Sequence, residues 1–265
     1  MSAVITLTTD FGLKDGYVAS LKGVILNINP KAIIVDITHF IDPQNILQAA
    51  FILHTVCPYF PDGTIHLVVV DPGVGSERRI LTAEGDGHYF IAPDNGILSL
   101  LLRDRLINRV YLVEQKSLFA RTVSSTFHGR DIMGPVAASL AGGLALAELG
   151  PEVLPASCVC LDLPVARFSE TSIHGEILQV DHFGNIRTSI RRTDMPHIGN
   201  PHQCRVQIKG YEIAALSSTY AETLPGELLA LFDSAGYLEV AANKGSAAEL
   251  TQCCIGDPVQ VNYPS

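Results

Sequence analysis

LVVVDPGVGSERRIL, residues 67–81, opens with four apolar residues and then breaks. The apolar run extends back through TIHLVVVD (64–71) and reads as a buried strand. It ends in Asp71, followed by Pro72, Gly73 and Gly75, and then by Arg78 and Arg79. A buried strand that hands a carboxylate to a glycine-rich turn is built like the edge of a site, with an acid and an arginine seven residues apart.

Working outward, AVITLTTD (3–10) and AIIVDIT (32–38) are further strands, and DGYVASLKGVILNIN (15–29) is helical. DPQNILQAAFILHTVCPYF (42–60) carries apolar residues at helical spacing, with Asp42 as the expected N-cap and Pro43 at the first helical position. Strands alternating with helices imply parallel pairing with helices on both faces. RILTAEG and HYFIAPDNG then look like a strand pair, and 97–104 and 135–149 look helical. After DLPVARFSE (162–170) the pattern changes to short strands and turns: IHGEILQVD, NIRTSI, CRVQIKG, YEIAALS, GYLEVAANKG and DPVQVNY. The expectation is an α/β domain over residues 1–165, with a mostly parallel sheet, and a smaller all-β domain over 171–265.

Composition narrows the function. The 265 residues are 47% apolar and 17% charged, an ordinary globular mixture. The net charge is −9 and no basic run occurs, which argues against a nucleic-acid partner. The start, MSAVITLTTDFG, lacks a basic n-region, and the apolar stretch 135–149 is too short to span a bilayer, so no membrane role and a cytoplasmic location are expected. The six cysteines do not follow zinc-ribbon spacing and read as reduced and structural. His197 and His202 stand among Pro, Gly and Asn and make a poor metal site, so no metal is expected.

Four stretches carry polar groups where chemistry needs them. Asp10 and Asp71 close two strands of one sheet, and ligands bind open α/β sheets at the carboxyl ends of strands. A carboxylate there suits the two hydroxyls of a ribose. TFHGRD (126–131) places His128 between Phe127 and Gly129, either as a surface loop with a local ion pair or as a histidine aimed at a reacting atom. VDHFGNIRTS (180–189) is either a hairpin turn or a site in which Asp181 and Asn185 hold an amino-acid head group and Phe183 stacks on a base. In LFDSAGYLEVAANKGSA (231–247), Ser234 and Asn243 flank a strand, and an Asn amide matches the edge of adenine.

Together TTDFG, DPGVGSERR, APDNG, TFHGRD, VDHFGN and GYLEVAANKGSA resemble, in order and spacing, the adenosine-forming S-adenosylmethionine hydrolases, also called hydroxide adenosyltransferases. These are relatives of fluorinating and chlorinating enzymes that act on the same substrate. The resemblance covers essentially the whole chain. It implies an N-terminal α/β domain, a C-terminal β-barrel-like domain, and a homotrimer with the substrate at a subunit interface. It implies hydrolysis of S-adenosyl-L-methionine to adenosine and L-methionine without a cofactor.

By motif match, the resemblance makes Asp71, Arg78 and His128 catalytic and Asp10 the ribose ligand. It places Phe127, Gly129, Asp181, Phe183, Asn185, Ser234 and Asn243 in the binding set. Two departures stand out: Ala235 and Gln44 replace an arginine and a tryptophan of the fluorinating enzyme; Arg79 beside Arg78 leaves open which arginine reaches the site. The resemblance puts Asp71 and His128 where the halogenating relatives have a halide pocket; a carboxylate beside a bare halide is repulsive, so these two residues favour water over halide. The other readings are a non-catalytic sensor of the same nucleoside, a halogenase, and a generic dinucleotide enzyme. GVGSER lacks the spacing of a dinucleotide fingerprint.

Overall fold

The computed structural model describes residues 3–197 and 203–264. His202 lies outside the described residues, so the pairing of His197 with His202 is not described. The chain divides into two units, Met1–Leu161 and Asp162–Ser265.

The N-terminal unit is a seven-stranded sheet between helices. Its elements run β1 (Val4–Thr9), α1 (Tyr17–Ile28), β2 (Ile33–Thr38), α2 (Ile46–Val56), β3 (Ile65–Val69), β4 (Ile80–Gly85), β5 (His88–Pro93), α3 (Ser99–Arg103), β6 (Arg109–Leu112), α4 (Gly134–Ala141) and β7 (Glu152–Val153). The strand order is β2-β1-β3-β5-β4-β6-β7. The first four pair in parallel, and β5-β4-β6-β7 pair antiparallel. The sheet is therefore mixed, with its parallel half on the side that carries Asp10 and Asp71. β3 is buried along its whole length because its side chains meet helices on both faces. Ile65, Leu67 and Val69 join the core with Leu21 and Ile25 of α1 and Val136 of α4. Val68 and Val70 join the opposite core with Ala49 and Leu53 of α2 and Leu101 of α3.

Two local expectations are corrected. The N-cap of α2 is Asn45, whose side chain accepts the Gln48 N–H at 2.9 Å, and not Asp42. The helix cannot start earlier because Gln44 is in the left-handed region, at φ +68°. The helical stretch expected over 135–149 ends at Ala141 and resumes only as a short 3₁₀ turn, Leu146–Glu148. Gly142 and Gly143 terminate it, with Gly143 at φ +99°.

The C-terminal unit is an antiparallel sheet of β8 (Arg167–Phe168), β9 (Ser172–Val180), β10 (Ile186–Arg191), β11 (Arg205–Ile208), β12 (Tyr211–Ala214), β13 (Leu228–Phe232), β14 (Tyr237–Ala242) and β15 (Pro258–Asn262), with α5 (Ala247–Thr251). The order is β12-β11-β15-β9-β10-β14-β13, with β8 on β9. The outermost strands β12 and β13 approach each other, so the sheet curls into a nearly closed barrel around Ile173, Ile177, Ile186, Val206, Leu238 and Val261. β13 follows no alternating pattern in its sequence, LLALF, and had not been expected as a strand. No helix among the described residues is long and apolar enough to cross a membrane.

Candidate active site

Strand order decides where a ligand can sit. The chain leaves β1 for β2 on one side and returns to β3 on the other, so the carboxyl ends of β1 and β3 flank a crevice. Asp10 follows β1 and Asp71 follows β3, and these strands are parallel neighbours with Thr9 opposite Val69. Just past β1, the Thr9 hydroxyl accepts the Phe11 N–H at 3.2 Å and turns the chain. The Asp10 carboxylate then accepts the Gln44 backbone N–H at 2.9 Å. Gln44 makes this contact with its backbone in the left-handed region, at φ +68°.

After β3 the chain enters a tight loop. The Ser76 hydroxyl donates to the Gly73 carbonyl at 2.6 Å, and the Val74 N–H donates to the Asp71 carbonyl at 3.1 Å. Gly75 sits at φ +81°, and a Cβ there would lie 2.3 Å from the Ser125 carbonyl oxygen. Only glycine lets this loop pack against the segment that leads to His128. That segment is itself held by the buried Asp131, whose carboxylate accepts from the Ser124 N–H at 2.8 Å and pairs with Arg130. His128 stands directly before Gly129–Met133, a π-helical turn that runs into α4. Such turns recur at functional sites.

These elements bring Asp71, Arg78 and His128 into one hydrogen-bonded set. Arg78 Nε donates to Asp71 Oδ1 at 2.7 Å and Oδ2 at 2.9 Å, while Nη2 contacts both Asp71 Oδ2 and His128 Nδ1, the latter at 3.0 Å. The side chains of Asp71 and Arg78 are only 5% and 10% exposed, so water screens the pair weakly. A guanidinium has only donors, so His128 Nδ1 is the acceptor and the neutral ring carries its proton on Nε2. Burial holds the His128 pKa below the ordinary imidazole value, and the positive charge of Arg78 lowers it further, against the pull of Asp71 and Asp131.

The choice between the two arginines is resolved. Arg79 points away from the set, its Nε donating to Asp94 Oδ2 at 2.7 Å and its Nη2 to the Ser157 carbonyl at 2.6 Å.

A cavity of about 270 Å³ opens beside the set, lined by Asp10, Gln44, Asp71, Phe127, His128 and Gly129 among others. Phe11 also lines it and packs edge-on against Phe127, with ring centroids 5.5 Å apart. Phe11 escaped the sequence reading, although it follows Asp10 directly within TTDFG.

The remaining expected residues lie in the C-terminal unit. Asp181, Phe183 and Asn185 share one turn: Asp181 Oδ1 accepts the N–H groups of Phe183 and Asn185 at 2.8 and 2.9 Å, and Oδ2 accepts the Asn185 amide at 3.2 Å. Phe183 is 73% exposed. The turn packs against the start of α5, where a Cβ on Gly184 (φ +80°) would lie 2.1 Å from Ser246 Oγ. Ser234 is exposed in the β13–β14 turn, and the Asn243 amide donates to the Thr223 carbonyl at 2.6 Å.

Residues 5–150 match the family model of the SAM hydroxide adenosyltransferase N-terminal domain, and residues 175–260 match that of the C-terminal domain. The chain belongs to the SAM hydroxide adenosyltransferase family. A relative from Salinispora tropica named (R)-S-adenosyl-L-methionine hydrolase is 39% identical over 266 residues, covering 97% of each chain. At greater distance, a protein from Actinopolyspora mzabensis named fluorinase is 27% identical over 92% of each chain. The crystal structure of an uncharacterized conserved protein from Thermotoga maritima superposes with a TM-score of 0.89 at 38% identity, over 97% of this chain and 99% of that one. Membership in the SAM hydroxide adenosyltransferases gives the acid, arginine and histidine above a reaction to be read against.

Proposed function

We propose that this protein hydrolyses S-adenosyl-L-methionine by attack of water at C5′, giving adenosine and L-methionine. The observation that carries the reading is the contiguous Asp71–Arg78–His128 set bordering a cavity that Asp10 also lines. In the reaction, the water oxygen forms a bond to C5′ while the C5′–S bond breaks. Its electron pair returns to sulfur, which leaves as a neutral thioether. No general acid is needed for that departure, and the balanced equation calls for no oxidant, reductant or cofactor. The demand falls on the nucleophile, because water is weak and hydroxide scarce near neutral pH.

The three side chains meet that demand in distinct ways. Asp71 is the proton acceptor, since a neutral His128 whose Nδ1 faces Arg78 has no free lone pair to receive one. His128 orients the water through its Nε2–H. Arg78 fixes both partners and stabilises negative charge developing on the water oxygen. Holding the water in line with the C5′–S bond removes a share of the barrier, about 7–11 kcal/mol in the most favourable intramolecular cases. Asp10, with one oxygen engaged by the Gln44 N–H, is oriented to accept from the ribose hydroxyls, and Phe127 and Gly129 wall the cavity beside them.

The cavity is smaller than the roughly 300–1,000 Å³ usual for small-molecule sites. That supports a site completed by a second copy of the chain within a homotrimer, where Asp181, Phe183, Asn185, Ser234 and Asn243 of the neighbouring copy take up the base and the amino-acid end. Light scattering checks the trimer. The chemistry is tested by incubation with substrate in ¹⁸O-labelled water. Label on the adenosine 5′-hydroxyl is the expected result. Unlabelled adenosine excludes direct water attack, and a 5′-halogenated nucleoside formed in halide buffer points to the halogenase reading.

A further inference from the structure

The APDNG motif contributes nothing to the wall of the cavity, yet the side-chain atoms of Asp94 and Asn95 are all engaged. The Asn95 amide nitrogen donates to the Val70 carbonyl at 2.9 Å, and its oxygen accepts the Ile97 N–H at 3.4 Å. Val70 immediately precedes Asp71. β5 ends at Pro93, so Asn95 supplies from its side chain a link from the end of β5 to the end of β3. Asp94, with its side chain 3% exposed, accepts the Val159 N–H at 2.8 Å on one oxygen and Arg79 Nε at 2.7 Å on the other. Its own N–H donates to the Arg79 carbonyl at 2.9 Å, one residue beyond the Ile80–Pro93 rung of the β4–β5 pair. Arg79 immediately follows Arg78.

Two adjacent residues thus grip both ends of the loop that carries the acid and the arginine. Asn95 holds the peptide entering Asp71, and Asp94 holds the residue leaving Arg78. Backbone alternation gives the second grip its force. Consecutive side chains approaching a strand point to opposite sides, so seating Arg79 on Asp94 commits Arg78 to the Asp71 side. We infer that Asp94 and Asn95 are positioning residues that set the separation of Asp71 and Arg78 from outside the cavity. The inference rests on the proposed hydrolysis for its kinetic consequence, but not for its geometry.

The test compares wild type with Asn95→Asp, which keeps the acceptor and removes the donor, and with Arg79→Lys, which keeps the charge and removes the fork. Arg79→Lys also serves if Asn95→Asp does not fold. Adenosine release should show kcat reduced about a hundredfold, the scale of a misplacement of about 1 Å, with KM within about twofold of wild type. In an Asp71→Asn background the Asn95→Asp loss should vanish, because there is no longer a carboxylate to misplace. Wild-type kcat in both variants, or an undiminished loss in the Asp71→Asn background, overturns the inference. If wild type itself releases no adenosine, the hydrolysis reading fails on its own and crystallography decides the rest. The Arg78 Nε to Asp71 Oδ1 contact, 2.7 Å in the intact protein, should open beyond hydrogen-bond range in Asn95→Asp. An unchanged contact overturns the positioning role whatever the activity.

Discussion

In the N-terminal unit, Asp71, Arg78 and His128 direct their hydrogen bonds at one another across fifty-seven residues of chain, counted from 71 to 128. In the C-terminal unit, Asp181 and Asn185 direct theirs at the turn in which they stand, and Asn243 holds the nearby Thr223 carbonyl. The Arg78–His128 contact of the first arrangement exists only because the fold brings two distant loops together. The second is complete as local structure. The proposed catalytic geometry is therefore assembled by topology in one unit, while the other carries preformed turns with outward faces such as the exposed Phe183 ring.

The contrast is sharpest if the two sets fail differently. Asp71→Asn should reduce kcat by about 10²–10⁴ with little change in KM, the range for loss of a general base. Normal turnover with weak binding would move Asp71 into the binding set. Asp181→Ala should instead raise KM about tenfold, the worth of one charge-assisted contact, and leave kcat near wild type. A kcat loss as large as that of Asp71→Asn would erase the distinction between the units.

Gly184→Ala should lower stability by about 1–3 kcal/mol through the left-handed backbone and the clash with Ser246, read as a shift of the urea midpoint. A midpoint unchanged from wild type would show that the turn relaxes freely. The smallest effect concerns pH. Burial and Arg78 depress the His128 pKa, so the neutral ring persists below the ordinary value of about 6.5. The acid limb of kcat/KM should therefore fall below that value, with activity lost as pH drops through the lowered pKa. A limb at or above it would mean that Arg78 does not face a neutral ring.

The same contrast explains what could be read from the chain. The parallel strands were legible because β3 is unbroken in its apolar run and buried on both faces. Asp10 and Asp71 stood out because each follows a strand end, and His128 because a glycine and two opposite charges follow it. Three features were not legible. The partition of Arg78 and Arg79 depends on Asp94, fifteen residues away from Arg79 and opposite it only once β4 and β5 pair. The start of α2 at Asn45 depends on the left-handed conformation of Gln44, a residue type that does not advertise it. β13 lacks alternation because Leu229 and Leu231 are buried on one face while Ala230 fills the barrel interior on the other, so neither face reads as polar.

Gln44 reaches Asp10 through its main chain, and its own side chain takes no part in that contact. The position can therefore be rewritten without dislodging Asp10, the proposed ribose ligand, provided the replacement keeps an amide hydrogen and tolerates φ near +68°. Glycine, asparagine and aspartate meet both conditions; proline and the β-branched residues do not. For an engineer wishing to widen or narrow the range of nucleosides admitted, residue 44 is a wall panel mounted on a fixed hinge.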